Sequence, residues 1–199
     1  MSRYFWLHTK EALSLIDECA SVNYRGNHMM QKMEKWGVLG IVLISIVTRV
    51  IPHIPNFSLE IVLAFYLGSK LPRFAALGWI MVMAVASDVL ISLAQGYAPF
   101  GLWSVFSYSA LLAIGYSGLW CRDHYGSRFV TGSAVVTLGF WVWTNLGTFL
   151  IGGLYPHTAA GLGACYVMAL PFLGASVISG LLCCAVIVFY EQRVRCLKH

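Results

Sequence analysis

The chain has 199 residues, of which 59% are hydrophobic and only 11% are charged. A soluble domain has about 25% charged residues, so the composition excludes an ordinary soluble domain and predicts an integral membrane protein. The net charge of +5 does not indicate nucleic-acid binding, because the basic residues stand singly at the ends of apolar segments instead of forming a stripe.

The chain begins with a polar segment, residues 1–35, which has mixed charge and no basic stretch followed by an apolar run. No cleaved signal peptide is therefore expected. We predict a cytoplasmic tail or a short interfacial helix here. A membrane domain is predicted over residues 36–190, followed by a basic cytoplasmic tail at residues 191–199.

Apolar segments of helical length fill the membrane domain. A spanning helix needs about 20 apolar residues, and the second segment is much shorter than this. The last segment is longer than one span needs, and Pro171 predicts a kink within it. The predicted segments are 36–51, 58–69, 74–94, 100–120, 129–151 and 159–190.

Positive charge predicts the orientation. Twelve of the 13 Lys and Arg residues lie in the tails or in alternate connections, and the remaining one is Arg49. By the positive-inside rule both termini are cytoplasmic. This split needs an even number of crossings, so the short second segment is predicted to cross as well. The predicted fold is all-α, with six transmembrane helices.

The connection between the first two segments, residues 49–60, is unusually polar for its position. Pro52 and Pro55 each remove a backbone donor and push the preceding residue into an extended conformation. A rigid, non-helical connection at the outer edge of the membrane is therefore predicted. Its polar residues include Arg49, His53, Asn56 and Glu60.

Polar side chains of later segments are predicted at the same outer level. Polar groups within a bilayer are costly without a partner or a role, and a site inside a bundle is built from several helices at one depth. The pattern therefore predicts a substrate site. The alternative is that Arg49 pairs with Glu60 or Asp88 for structural reasons alone. The predicted site residues are Arg49, His53, Asn56, Glu60, Asp88, Trp141, Asn145, Tyr155 and Tyr166.

Several catalytic motifs are absent from the sequence. It contains no Gly-x-x-x-x-Gly-Lys-Ser/Thr, no His-Glu-x-x-His and no Gly-x-Ser-x-Gly. No catalytic residue, metal site or cofactor is therefore expected, and active transport would need a partner protein or an ion gradient. The six cysteines form no Cys-x-x-Cys, and no disulfide framework is predicted.

Short motifs follow one another between Arg49 and Phe172. They are Pro55-Asn56-Phe57-Ser58, Ala84-Val85-Ala86-Ser87-Asp88, Thr144-Asn145, Tyr155-Pro156, Thr158-Ala159-Ala160-Gly161-Leu162, Cys165-Tyr166 and Leu170-Pro171-Phe172. In these motifs the chain resembles a family of small bacterial membrane proteins described as a domain of unknown function. That family is similar to the substrate-binding (S) components of energy-coupling-factor vitamin transporters.

The resemblance implies an S-component-like bundle in the bacterial inner membrane that captures a vitamin or related small molecule from the extracytoplasmic side. It also implies a possible energising module as partner. S components that dock on such a module often carry Ala-x-x-x-Ala in their first helix. This chain has Gly37 and Gly40 there, followed by Ile41 and Ile44. A solitary transporter therefore stays open as an alternative.

Two other functions are compatible with the sequence. One is a non-catalytic membrane assembly subunit, whose polar groups are structural. The other is an intramembrane lipid-modifying enzyme, with Asp88 or Glu60 as base and His53 as acid. Because nothing supplies a nucleophile or a metal set, a non-enzymatic uptake protein is the favoured hypothesis. Its expected partners are a small molecule and the lipid bilayer, not nucleic acid.

Overall fold

The computed structural model describes residues 36–50, 59–122 and 124–196. Every regular element in these residues is helical, and none of them forms a strand, which confirms the all-helical prediction for this part of the chain. A 3₁₀ turn, Leu119–Cys121, continues the fourth helix. The helices are α1 Trp36–Val50, α2 Glu60–Lys70, α3 Arg73–Gln95, α4 Leu102–Gly118, α5 Ser127–Ile151 and α6 Ala159–Cys196.

Four of these helices, α3 to α6, are long and apolar enough to cross a membrane. The chain is therefore a multi-pass membrane protein. Helix α1 is apolar but shorter. Helix α2 has 11 residues, and at 1.5 Å per residue it spans about 16 Å, roughly half the thickness of the hydrocarbon core. The six crossings, the cytoplasmic termini and the S-component-like arrangement stay predictions.

Residues 1–40 and 41–199 are two separate contact units. Of the first unit, the structure describes only residues 36–40, the first turns of α1. The predicted tail at residues 1–35 lies outside the described residues. All contacts given below belong to the second unit.

Pro and Gly residues set several helix boundaries close to the predicted ones. Pro72 is the N-cap of α3 and separates it from α2. Gly96 ends α3 in the left-handed region, with a φ of 76°, and its N–H donates to Ser92 O at 2.8 Å. By contrast, α6 continues through Pro171 and past residue 190 to Cys196, as one helix of 38 residues.

Helix α2 lies at the centre of the second unit. Its residues Glu60–Ser69 are all buried, and it packs against α3, α4, α5 and α6, most extensively against α4. Glycines allow the two backbones to meet: a Cβ added to Gly68 would lie 1.9 Å from Gly115 O, and one added to Gly118 would lie 2.3 Å from Phe65 O. Such contacts between small residues are typical of helix pairs in membranes.

Large apolar side chains cover the outside of the longer helices. Leu93, Trp120 and Leu154 are each at least three-quarters exposed. Exposed large apolar side chains in this number are unfavourable in water. Together with the four candidate spans, it supports a lipid environment around α3 to α6.

Candidate functional site

Three helices bring together an arginine and two carboxylates, here called the ion cluster: Arg49, Glu60 and Asp88. Arg49 Nη2 lies 2.7 Å from Asp88 Oδ1, and Arg49 Nη1 lies 3.2 Å from Glu60 Oε1. The side chains of Asp88 and Glu60 are only 3% and 7% exposed, and that of Arg49 is 23% exposed. The carboxylates are therefore shielded from lipid as well as from water.

Two further side chains complete the hydrogen bonding of the ion cluster. Ser87 Oγ accepts from Arg49 Nη1 at 2.6 Å and donates to Ala84 O at 2.9 Å. On α4, the Tyr108 hydroxyl donates to Asp88 Oδ2 at 2.7 Å. Asp88 thus accepts from one partner at each carboxylate oxygen. A buried charge is tolerated only with such pairing.

The ion cluster lies inside the helices, not in a connection. Asp88 precedes the last residue of α3, Gln95, by seven residues, which places it about 10 Å from that end of the helix. Arg49 belongs to α1, and Glu60 is the first residue of α2. The prediction of a non-helical connection over residues 49–60 is therefore wrong at both ends, since Arg49 and Glu60 are helical. A proline disfavours helix at its own position and at the residue before it, which leaves both of these positions free to be helical.

Two predicted site residues, His53 and Asn56, lie outside the described residues. Tyr155 is half-buried in the loop between α5 and α6. The roles of these residues in substrate binding stay predictions.

The predicted residues of α5 and α6 form a separate seam between those two helices. Trp141 Nε1 donates to Ala169 O at 3.1 Å, and the Trp141 ring lies 5.2 Å from that of Tyr166. The Tyr166 hydroxyl donates to Val142 O at 3.0 Å. Asn145 Nδ2 donates within its own helix, to Trp141 O at 2.8 Å. These contacts join α5 to α6, and the described partners of the seam include no member of the ion cluster.

The α5–α6 seam was predicted to join the ion cluster in one site, and the reason that the prediction could not separate them is simple. Helical spacing correctly places Trp141 and Asn145 on neighbouring turns of one helix, but spacing carries no information about which helix that face meets. Their role in binding a substrate stays a prediction, whereas their contacts identify them as part of the α5–α6 interface.

Two grooves open between α4 and α5. The first, of about 450 Å³, lies near the start of α4 and the end of α5, and its lining includes Ser107, Thr144 and Thr148. The second, of about 460 Å³, lies further along the two helices and is mostly apolar. Neither groove is lined by the ion cluster. Helix α4 connects the two features, because Ser107 lines the first groove and the next residue, Tyr108, reaches Asp88.

A second charged group, here called the latch, joins the other end of α2 to α6. Lys70 Nζ lies 2.8 Å from each carboxylate oxygen of Glu191, and the Tyr66 hydroxyl donates to the same carboxylate. Glu191 is buried although its sequence position, after the last apolar segment, suggested a solvent-exposed tail. Glu191 follows Cys184 and Ile187 at helical spacing, and all three are buried on one face of α6. That spacing is the sequence feature that could have identified Glu191 as buried.

Tyr125, in the loop between α4 and α5, covers the latch. Its ring centroid lies 4.5 Å from Lys70 Nζ, within the range of a cation–π contact. Its hydroxyl lies 3.2 Å from Ser69 Oγ. Burial raises the pKa of the Tyr125 hydroxyl, which keeps the group protonated beside the ammonium.

No group of three His, Cys, Asp or Glu side chains that could hold a metal ion occurs in the described part of the chain. The groups that the described residues bring together at the candidate site are ion pairs and hydrogen-bonding side chains.

Residues 30–195 match a family of unknown function, DUF6580. No curated protein and no solved structure matches the chain. The match extends from before α1 almost to the end of α6, so it includes the ion cluster, the α5–α6 seam and the latch. It confirms the resemblance to an uncharacterised family, while the similarity to S components stays a prediction. By this match over most of its length, the chain belongs to the DUF6580 family.

Proposed function

We propose that the chain is a membrane transporter that takes up a vitamin or a similar small molecule from the extracytoplasmic side. The ion cluster binds the polar part of that molecule. The observation that supports this is the burial of Arg49, Glu60 and Asp88, drawn from α1, α2 and α3, among helices of membrane-spanning type. Ionisable groups within a bilayer are rare and are retained mainly for a functional role.

The contacts of the ion cluster suit exchange with a ligand. Arg49 Nη1 is shared between Glu60 and Ser87, and Nη2 pairs with Asp88. A ligand donor that replaces one N–H of Arg49 leaves the guanidinium bonded to its other partners. Because no charge is then left unpaired, the exchange costs less than opening an isolated buried pair.

The charges within the ion cluster favour one class of ligand. Among its described members two carboxylates face one guanidinium. A ligand group with N–H or O–H donors can hydrogen-bond these carboxylate oxygens, and a charged donor makes the stronger hydrogen bond.

Helix α2 supplies the connection to the opposite end of the bundle. Glu60 at its start belongs to the ion cluster, and Lys70 at its end belongs to the latch. A shift of Glu60 on ligand binding is transmitted along a rigid helix to Lys70 and Glu191. Release of the ligand toward the cytoplasm then follows opening of the latch. Because the sequence has no P-loop, an ion gradient or an energising partner drives uphill uptake.

The test is retention of a ligand by protein purified gently in a mild detergent. Mass spectrometry of the extract from wild-type protein is expected to show a defined small molecule. Asp88→Asn removes the charged acceptor and is expected to weaken binding by about 10- to 100-fold, as for the loss of one hydrogen bond to a charged group. Ser133→Ala is the control, since it removes a buried hydroxyl on α5 whose described hydrogen bonds go to Val130 and Cys184, outside both the ion cluster and the latch.

Equal ligand loss in both variants would mean that the ion cluster has no special role. Wild-type protein that carries no small molecule, and whose melting temperature is unchanged by a panel of vitamins, would contradict the transporter proposal. Co-purification of a defined protein in place of a ligand would then favour the assembly-subunit hypothesis.

A further inference from the structure

Three arginines at the latch end of the bundle share one arrangement. Each guanidinium lies over an exposed aromatic ring: Arg73 over Phe74 at 4.7 Å, Arg128 over Trp120 at 5.9 Å and Arg193 over Phe189 at 5.0 Å, measured from Cζ to the ring centroid. The rings are 77%, 79% and 59% exposed, in the same order. The pairs belong to the start of α3, the junction of α4 with α5, and the end of α6.

These arginines differ from the other basic residues at the same end. Lys70 is paired with Glu191, and Arg122 Nη2 donates to Leu71 O at 2.7 Å. The guanidinium groups of Arg73, Arg128 and Arg193 make no hydrogen bond or ion pair with another described residue, and all three residues are exposed. Their donors therefore face outward from the protein.

The opposite end of the bundle differs in the charge of its loops. The loops at residues 96–101 and 152–158 contain no Lys, Arg, Asp or Glu, although aromatic residues such as Tyr97 and Phe100 are exposed there as well. The exposed positive charge of the described residues is thus concentrated at the latch end, together with exposed rings.

We propose that the latch end binds the headgroups of anionic phospholipids. Arginine donors fit phosphate oxygens. The exposed Trp120 ring belongs at the boundary between headgroups and acyl chains, where Trp and Tyr are enriched in membrane proteins, and the exposed Phe74 and Phe189 rings are apolar and suit the acyl-chain side of that boundary. A ring beneath a guanidinium holds it at that depth through a cation–π contact. The inference is independent of the transported molecule, since none of these residues belongs to the ion cluster.

The test uses full-length protein in nanodiscs that contain phosphatidylglycerol and phosphatidylcholine, followed by native mass spectrometry of the released protein. Wild-type protein is expected to retain phosphatidylglycerol preferentially, and higher salt is expected to reduce this retention. The triple change R73Q/R128Q/R193Q is expected to reduce it by at least about tenfold, because each basic residue near a charged bilayer contributes about fivefold.

Two variants serve as controls. R73K/R128K/R193K keeps the charges and is expected to retain most of the anionic lipid. Y97L/F100L removes exposed rings at the opposite end and is expected to leave retention unchanged.

Equal retention of phosphatidylglycerol by wild-type protein and by the Gln triple variant would overturn the proposal. Wild-type retention that shows no preference over phosphatidylcholine, or no response to salt, would overturn it without any variant. Soluble glycerophosphoglycerol is added as a competitor of the same headgroup chemistry. If it displaces bound lipid as effectively as added phosphatidylglycerol does, the latch end binds phosphate groups in general and the lipid proposal is overturned.

Discussion

At the scale of single residues, Asp88 connects three helices. It lies on α3, accepts from Arg49 of α1 at one oxygen and accepts from Tyr108 of α4 at the other. Removing one partner of a buried, hydrogen-bonded charge costs much more than the pair contributes in net stability. The geometry of Asp88 therefore depends on both neighbours at once.

Tyr108→Phe is expected to destabilise the protein because it removes the donor to Asp88 Oδ2 and nothing else. A hydrogen bond to a charged group contributes about 1.5–3 kcal/mol, which corresponds to a melting temperature lower by roughly 3–12 °C for a chain of this size. Thermal unfolding in detergent, followed by tryptophan fluorescence, measures the change.

Tyr116→Phe provides the control on the same helix, since Tyr116 is exposed. Its melting temperature is expected to equal that of the wild type. Equal melting temperatures of the Tyr108→Phe and Tyr116→Phe variants would show that the Tyr108 hydroxyl does not stabilise Asp88.

Part of the ion cluster could be predicted from sequence at this scale. A lone arginine and two acidic residues at one predicted depth have few other partners in a bilayer, so pairing of Arg49 with Glu60 or Asp88 is a natural expectation. Tyr108 could not be predicted in this role. A tyrosine in an apolar helix is typical of many membrane proteins, and its partner is set by the packing of α3 on α4.

At the scale of elements, α2 is unusual because it is both the shortest described helix and the most enclosed. Its contact with α4 depends on Gly68 and Gly118, since a Cβ added to either would collide with the backbone of the other helix. A helix of this length has little intrinsic stability. Its folding therefore depends on the fit of its neighbours.

Gly68→Ala is expected to destabilise the α2–α4 contact, because the new Cβ would lie 1.9 Å from Gly115 O, a backbone atom. Overpacking of this kind costs about 1–3 kcal/mol. Gly78→Ala is the matched control on α3, where a Cβ meets nothing within 4 Å. That variant is expected to gain about 0.5–1 kcal/mol from the higher helix propensity of Ala.

The two glycine variants are thus expected to change the melting temperature in opposite directions. The same thermal unfolding measurement, supported by size-exclusion chromatography, distinguishes them. A Gly68→Ala variant as stable as the wild type would contradict the close approach of the two backbones.

The boundaries of the longer helices could be predicted because local chemistry sets them. Pro72 and Gly96 act through their own backbone conformations, so their effects are visible in the sequence. The central position of α2 could not be predicted in this way. Its apolar residues indicate burial, but burial in protein and burial in lipid produce the same pattern.

At the scale of the whole molecule, charge and packing distinguish the two ends of the bundle. The latch end carries Lys70, Arg73, Arg122, Arg128 and Arg193, while the loops at residues 96–101 and 152–158 contain no Lys or Arg. The positive-inside rule predicts that the latch end faces the cytoplasm.

Labelling of single cysteines with a membrane-impermeant maleimide tests this orientation. Cys19 and Cys196 are first replaced by Ser, since the other four cysteines are buried. Cysteines introduced at exposed Tyr97 or Leu154 are expected to react in intact cells. Cysteines at exposed Phe74 or Gln192 are expected to react only after permeabilisation.

An N-terminal epitope tag tests whether the number of crossings is even. With an even number of crossings, an antibody reaches the tag only in permeabilised cells. A tag that is accessible in intact cells, in the same protein whose residue 97 is accessible, would show an odd number of crossings and would contradict the prediction for the second segment.

The enclosure of α2 also has a consequence for how the protein is made. Residues Glu60–Lys70 leave the ribosome before α4, the helix that covers them most extensively, has been synthesised. During that interval a segment too short to reach across the bilayer carries a charge at each end and lacks its later neighbours. We therefore expect α2 to integrate stably only once α3 and α4 have been made, with the nascent segment held by the insertion machinery or at the membrane surface until then.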